Sequence, residues 1–501
     1  MSSYSQILKS SSLVGGAQFV RMLIGIVSTK FAAIYIGPGG VGLIGAYQSI
    51  TQLGIQLSGL GIKQSGVREV AAMVGSGDDN SVARTVLTLR RICGLTGVVG
   101  AVGLIALSLP ISTLTFGGDE HRLGLILLSL VVLVTAITNG HMAVFQGLRK
   151  ITDLVRVQIW GALAGALISI YLYVVLGISG IVPALLSIAL CNLGAAWWYS
   201  RKIILVPVAL SWRNTLSEAK GLVGLGSAFM VGGLAVSFSA YASRALIARD
   251  IGLDGVGMYQ AAFAISGYVL NFVLGAMGTD FYPRLAGISD DHDQMTRLVN
   301  EQTEIGLLLA TPALLATLGL APLFIYFLYS GQFEPAVELL RWLVLGCFLQ
   351  VISWPMGLVL MAKGEKYWYV FSQLAFSILH IVFIVIGLNI WGLCGASVAF
   401  FASYVLHVIG MRLITGHLVD FTWSKGSKSL MLIQVSIVFV LFAATHFLPE
   451  LWSIVLGCVL SLVMSLYSLR QLLLRLGADH RFYRALNTFC GEKILKLFTS
   501  K

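Results

Sequence analysis

Three basic residues, Arg21, Lys30 and Arg244, fall well inside long apolar stretches of this 501-residue chain. Even the mildest insertion scales charge about 2.5–3.5 kcal/mol for one such residue at the centre of a membrane span. Their placement calls for a water-filled cavity, an acidic partner or a path to the headgroups. Lys30 lies six residues before Ile36 and Arg244 seven before Ile251, and each isoleucine opens a copy of one glycine-rich motif. A matched pair of cations facing a central cavity suits an anionic group, phosphate in particular. The alternative is snorkelling, since both lie within about two helical turns of the end of their stretch. Arg21 lies deeper. Nine residues from Lys30, it points to the opposite face of a straight helix at about 100° per residue. Either the helix is distorted near Gly25 or only one of the two faces the cavity; we read Arg21 as a cavity residue.

Uncharged polar residues extend the pattern. Gln48, Gln52 and Gln56 follow at i,i+4 steps, and Gln260, Ser266 and Tyr268 mark the equivalent stretch after the second motif. Such rows line a wet cavity and bond sugar hydroxyls, or else join helix to helix. Acidic groups are scarce. Glu338 lies three residues before Arg341 and reads as half of a surface pair. Asp280 is the only other carboxylate inside an apolar span, just before Tyr282, Pro283 and Arg284. It is either a coupling-ion site or the partner of Arg284 at the inner surface. So few acids argue against an antiporter of cationic drugs. His141, His380 and His407 stand alone among apolar neighbours and read as packed residues.

No nucleophile and base share a recognisable spacing, so the chain is not expected to be an enzyme. The turn at 37–42 is no phosphate loop, because it lacks the following Lys-Ser/Thr. No inner gap exceeds about thirty residues, which leaves no room for a nucleotide-binding domain. Cys93, Cys191, Cys347, Cys394, Cys458 and Cys490 have no metal-ligand spacing; neither a cofactor nor a structural disulfide is expected.

Membrane spans must position these residues. With 57% hydrophobic and 11% charged residues and a mean hydropathy of +0.88, no soluble fold could bury the apolar surface, and an all-α polytopic membrane protein follows. The best parse has fourteen spans, from 11–36 to 451–472; those at 390–411 and 429–448 are the weakest, and twelve or thirteen is the alternative. The first stretch carries Arg21 and Lys30 and reads as a retained span rather than a cleaved signal. With the N-terminus in the cytoplasm, 27 of the 33 Lys and Arg residues fall in or beside inner gaps, Lys63, Arg68, Arg284 and Arg297 among them. Only Arg122, Arg249 and Arg341 fall outside. The net charge of +11 is thus first a sign of positive-inside topology, with both termini cytoplasmic, and nucleic acid is not an expected partner. Residues 470–501 read as a basic amphipathic segment near anionic lipid, or as a plain retention cluster.

The chain also contains an internal repeat. Ile36-Gly-Pro-Gly-Gly-Val-Gly-Leu43 recurs as Ile251-Gly-Leu-Asp-Gly-Val-Gly-Met258, and Tyr47-Gln48 recurs as Tyr259-Gln260. Six spans separate the copies, so both halves should share one orientation about an axis along the membrane normal. The expected organisation is an N-terminal six-helix lobe at 1–208, a second at 209–412, and an additional helix pair with a basic tail at 413–501. The alternative is that glycine-rich turns between close helices simply look alike.

On Ile36–Tyr47, on 243–260 running on to Tyr282-Pro-Arg-Leu285, and on the turn near Met361-Ala-Lys363, the chain resembles Wzx-type lipid-linked oligosaccharide flippases of the multidrug/oligosaccharidyl-lipid/polysaccharide exporter (MOP) superfamily. The resemblance covers most of 10–412. It implies two six-helix lobes and movement of undecaprenyl-pyrophosphate-linked sugars, such as O-antigen units, from the inner to the outer leaflet of the bacterial cytoplasmic membrane. It implies a basic residue in the seventh span, matched by Arg244, and near the equivalent first-span position, where Lys30 falls. The partners implied are the lipid-linked substrate, membrane lipids, and the polysaccharide polymerase and chain-length machinery. The C-terminal pair departs from the many relatives that stop at twelve spans. The second function class weighed is a small-molecule or multidrug exporter on the same fold, for which Asp280 is poorly placed.

Overall fold

The computed structural model describes residues 3–476, except the side chains of 3–14, 221–229, 269, 276, 279, 280, 475 and 476. Of the expected tail segment at 470–501, residues 477–501 lie outside the described residues. Every regular element among those described is helical: α1 (Ser3–Tyr35), α2 (Gly37–Gly59), α3 (Ile62–Ser76), α4 (Asp79–Ala106), α5 (Ser108–Phe116), α6 (Arg122–Gly147), α7 (Ile151–Leu176), α8 (Ile181–Ser200), α9 (Trp212–Asp250), α10 (Leu253–Ala286), α11 (His292–Gly319), α12 (Ala321–Leu328), α13 (Ala336–Ala362), α14 (Lys366–Trp391), α15 (Leu393–Val419), α16 (Lys425–Phe447) and α17 (Glu450–Leu476). A polytopic all-α membrane fold is therefore what the sequence adopts.

Among the described residues, eleven stretches are long and apolar enough to cross a membrane, or twelve with the bent pair α11–α12. Helices α7 and α8 are joined in one such stretch, Ile151–Ser200, though a 3-10 turn at Gly177–Gly180 separates them. Helix α2, with its glutamines, is not among the eleven. Each of the fourteen expected spans coincides with a helix of 20 residues or more. Three short helices were not expected. Helix α3 leaves α2 through Leu60 and Gly61, both left-handed (φ 47° and 68°). Helix α5 follows α4. Helix α12 bends 77° away from α11 where a single span was expected.

Helix starts at the loops are fixed by side-chain caps. Asp78, Ser211, Asp291 and Ser424 accept backbone N–H bonds at the first turns of α4, α9, α11 and α16, supplying partners for donors a helix leaves open.

The chain forms two compact units, one of residues up to 261 with 327–333 and 373–396, the other of the remainder. In the first, Val70, Val86, Leu89 and Val144 form a core between α3, α4 and α6, and Phe145, Val157 and Ala196 join α6, α7 and α8. In the second, Phe281, Leu285, Val299, Met356 and Met411 pack α10, α11, α13 and α15 together. There α16 and α17 dock on α11. Asn300 Oδ1 accepts from the Ser424 N–H and the Ser427 hydroxyl, both at 2.8 Å; Thr311 donates to Gln434 Oε1 at 2.7 Å; and a Cβ on Gly319 would lie 2.5 Å from the Cα of Gly457. Interhelical polar bonds in membranes contribute only about 0.6 kcal/mol each, so the close glycine packing carries much of this docking.

Candidate functional site

The first unit encloses a cavity of about 900 Å³. It is walled by α1, α2, α3, α6, α7, α8 and α9, and Arg21, Lys63 and Arg244 all face it. Among the described residues that line it, none is acidic. Gln48 and Gln52 face it from α2, and Gln158 and Asn192 from α7 and α8. Three cations and a set of amides in one hollow match a phosphate-bearing, hydroxyl-rich ligand.

Each cation is held differently. Arg244 is 8% exposed. Its Nε and Nη2 both donate to Gln260 Oε1, at 3.0 and 2.7 Å, and its Nη1 donates to the Ala240 carbonyl at 2.9 Å. Gln260 thus fixes the guanidinium rather than lining the cavity itself. Among the described residues, Arg21 has one long bond, from Nη1 to Gln158 Oε1 at 3.4 Å. Lys63 lies on α3, outside the spans; burial, and after it the positive charge of Arg21, pushes its ammonium below the ordinary lysine pKa.

Lys30 is not among the cavity residues. Its Nζ donates to the backbone carbonyl of Tyr329, so the expected matched pair of cavity cations, Lys30 and Arg244, is not brought together. Arg21 faces the hollow and Lys30 does not, as their nine-residue separation on one helix requires. Glu338 accepts from Arg341 Nη1 at 3.4 Å, as expected, and also contacts His446 Nε2 at 3.0 Å. Asp280 lies on α10, and its side chain is outside the described residues.

Lys63, Gln158 and Asn192 escaped the sequence reading. In the sequence Lys63 reads as one more basic residue on the expected inner side. Gln158 and Asn192 carried the signal that marked Gln48, an amide inside an apolar helix.

The two copies of the glycine motif meet beside this cavity. A Cβ on Gly42 would lie 1.9 Å from the Leu253 carbonyl oxygen, and one on Gly257 would lie 1.9 Å from that of Pro38. These glycines occupy the same place in the repeat. Only glycine allows the first turns of α2 and α10 to touch backbone to backbone. The cavity lining begins one turn further along α2, at Gly45.

This helix arrangement is the fold shared by solved transporters of the MOP superfamily. It is similar to the lipid II flippase MurJ in an inward closed conformation (TM-score 0.69, 13% identity, 91% of this chain and 98% of that one). It is also similar to an inward-facing multidrug resistance MATE family transporter (TM-score 0.64, 14% identity, 80% and 96%). Residues 36–338 match the family model described as polysaccharide biosynthesis protein, and the chain belongs to that family. It is 28% identical over 416 residues to the lipid III flippase of Escherichia coli strain K12, covering 80% of this chain and 95% of the relative, and equally to that of Shigella flexneri.

Proposed function

We propose that this protein flips an undecaprenyl-pyrophosphate-linked oligosaccharide, an O-antigen or related surface-polysaccharide unit, from the inner to the outer leaflet of the bacterial cytoplasmic membrane by alternating access. The observation that carries this reading is the cavity that Arg21, Lys63 and Arg244 face, with no acidic side chain among its described lining residues. On the mildest scale the two guanidinium groups within spans, Arg21 and Arg244, cost about 5–7 kcal/mol. A diphosphate supplies the missing charge, with each charge-assisted bond contributing about 1.5–3 kcal/mol. Gln48, Gln52, Gln158 and Asn192 are suited to sugar hydroxyls, and the polyprenyl chain stays in lipid. Arg244, oriented by Gln260, is the fixed end of the anion site; Lys30 holds the backbone near Tyr329.

In this reading the sequence repeat reflects lobes at 1–208 and 209–412 with an added pair at 413–501, both termini are cytoplasmic, and the Gly42–Gly257 crossing closes the outer side. Asp280 is either a coupling group or the partner of Arg284 at the inner surface, and polymerase and chain-length proteins would receive the product. The chain acts as a transporter without chemistry of its own. A cationic-drug exporter is disfavoured, since a drug cation would meet three like charges and, among the described lining residues, no carboxylate.

Deletion of the gene tests the reading. Sugar-loaded undecaprenyl-pyrophosphate should accumulate on the inner leaflet and one surface polysaccharide should disappear, with drug resistance unchanged. Untouched lipid-linked sugars with new sensitivity to cationic compounds would replace the flippase reading with the exporter one.

A further inference from the structure

A second cavity, of about 450 Å³, lies where α10 ends and α11 begins, in the second unit. Arg284, Arg297 and Glu301 line it together with Gln294, Ile288 and Leu298. Helix α10 has 34 residues, about 50 Å at 1.5 Å per residue, against about 30 Å of hydrocarbon. Arg284, in its last turn, therefore lies at headgroup depth. The surroundings agree: Leu298 belongs to the buried cluster of this unit, and Ile288, Trp354, Trp368 and Trp423 pack against it, the aromatic belt expected at an interface.

The charges in this hollow are mixed. Two guanidinium groups and one carboxylate face it, and among the described residues no ion pair joins Arg297 to Glu301 one turn away. The adjoining loop is acidic, with Asp290, Asp291 and Asp293. Asp291 is committed to capping α11, accepting from the Gln294 backbone N–H at 2.9 Å and its Nε2 at 2.8 Å. Those bonds, and more weakly the charge of Arg297, hold its carboxyl below the usual range. A headgroup with only negative charge would meet these acids. A headgroup with a phosphate and a protonated amine meets a partner for each end.

We infer that this hollow binds the phosphoethanolamine headgroup of phosphatidylethanolamine, its phosphate between Arg284 and Arg297 and its ammonium toward Glu301. Guanidinium–phosphate bonds fix the first end. The second end discriminates: phosphatidylcholine has no N–H to donate to Glu301, and phosphatidylglycerol has no cation. The inference rests on the membrane fold and not on the transported substrate.

Native mass spectrometry on the full-length protein in detergent tests it, with equimolar phosphatidylethanolamine, phosphatidylglycerol and phosphatidylcholine of matched chains. Phosphatidylethanolamine should be retained roughly fivefold or more over each of the others. The pair Arg284→Ala and Arg297→Ala should erase that excess. Glu301→Gln should shift the preference toward phosphatidylglycerol, and it decides the matter if the double variant does not fold. Soluble phosphoethanolamine should displace the lipid, whereas inorganic phosphate at the same concentration should not. Equal retention of the three lipids, an unchanged preference in Glu301→Gln, or displacement by inorganic phosphate would each overturn the assignment, the last in favour of a free-anion site.

Discussion

At the scale of single residues, the cavity cations differ in how far they are committed before any ligand arrives. Arg244 is locked on Gln260 and the Ala240 carbonyl, whereas Arg21 has one long bond. Arg244→Ala or Arg21→Ala, at wild-type protein level, should lower surface-polysaccharide export at least about tenfold, the factor for ~1.4 kcal/mol. Arg244→Lys should retain part of it. Lys30→Gln should cost less export than either alanine variant, because Lys30 binds a backbone carbonyl. Lys63 adds a pH dependence. Its pKa is depressed, so rising pH removes its charge sooner than that of an ordinary lysine. Substrate binding should weaken as pH rises, beginning below the range in which an ordinary lysine discharges, and Lys63→Arg should flatten that decline; a wild-type profile flat up to that range would remove Lys63 from the site. Arg21, Arg244, Gln48 and Gln52 were legible because polar groups in apolar helices are rare. Lys63 was not: it sits near Arg68 in a basic segment expected on the inner side, and the left-handed turn at Leu60 and Gly61 aims it at the cavity. The partner of Lys30 was equally hidden, being a backbone atom 299 residues away.

The helices make their own demands. The crossing of α2 and α10 leaves no room for a side chain at Gly42 or Gly257, and overpacking of this kind costs typically about 1–3 kcal/mol or more. Gly42→Ala and Gly257→Ala should each insert normally yet export poorly. Gly59→Ala, in the same helix with nothing within 4 Å of its Cβ, should behave as wild type; equal loss in all three would point to a general weakness of α2. The long helices were legible because a run of about 20 apolar residues has one stable fate in lipid. Helices α3, α5 and α12 were not, since segments of 15, 9 and 8 residues carry no such signal. The break between α11 and α12 falls inside continuous hydrophobicity, where hydropathy has no contrast.

For the whole molecule, the distribution of Lys and Arg and the internal repeat give two separate expectations. The first is topology: reporters at Glu218, Ser289, Gly426 and Ser500 should report inside and one at Asp119 outside. An outward-facing Ser500 would contradict the charge argument for the last helix pair. The second is that the chain moves a diphosphate-linked glycan, which concerns the cavity and not the loops. The most direct test is reconstitution into liposomes with a fluorescent undecaprenyl-pyrophosphate oligosaccharide and a membrane-impermeant glycosidase outside. Wild-type protein should expose the inner-leaflet sugar to the enzyme at a rate well above protein-free liposomes. The variant carrying Arg21→Ala, Lys63→Ala and Arg244→Ala, inserted to the same level, should not. Equal exposure by wild type and this variant, or none by either, would contradict the account.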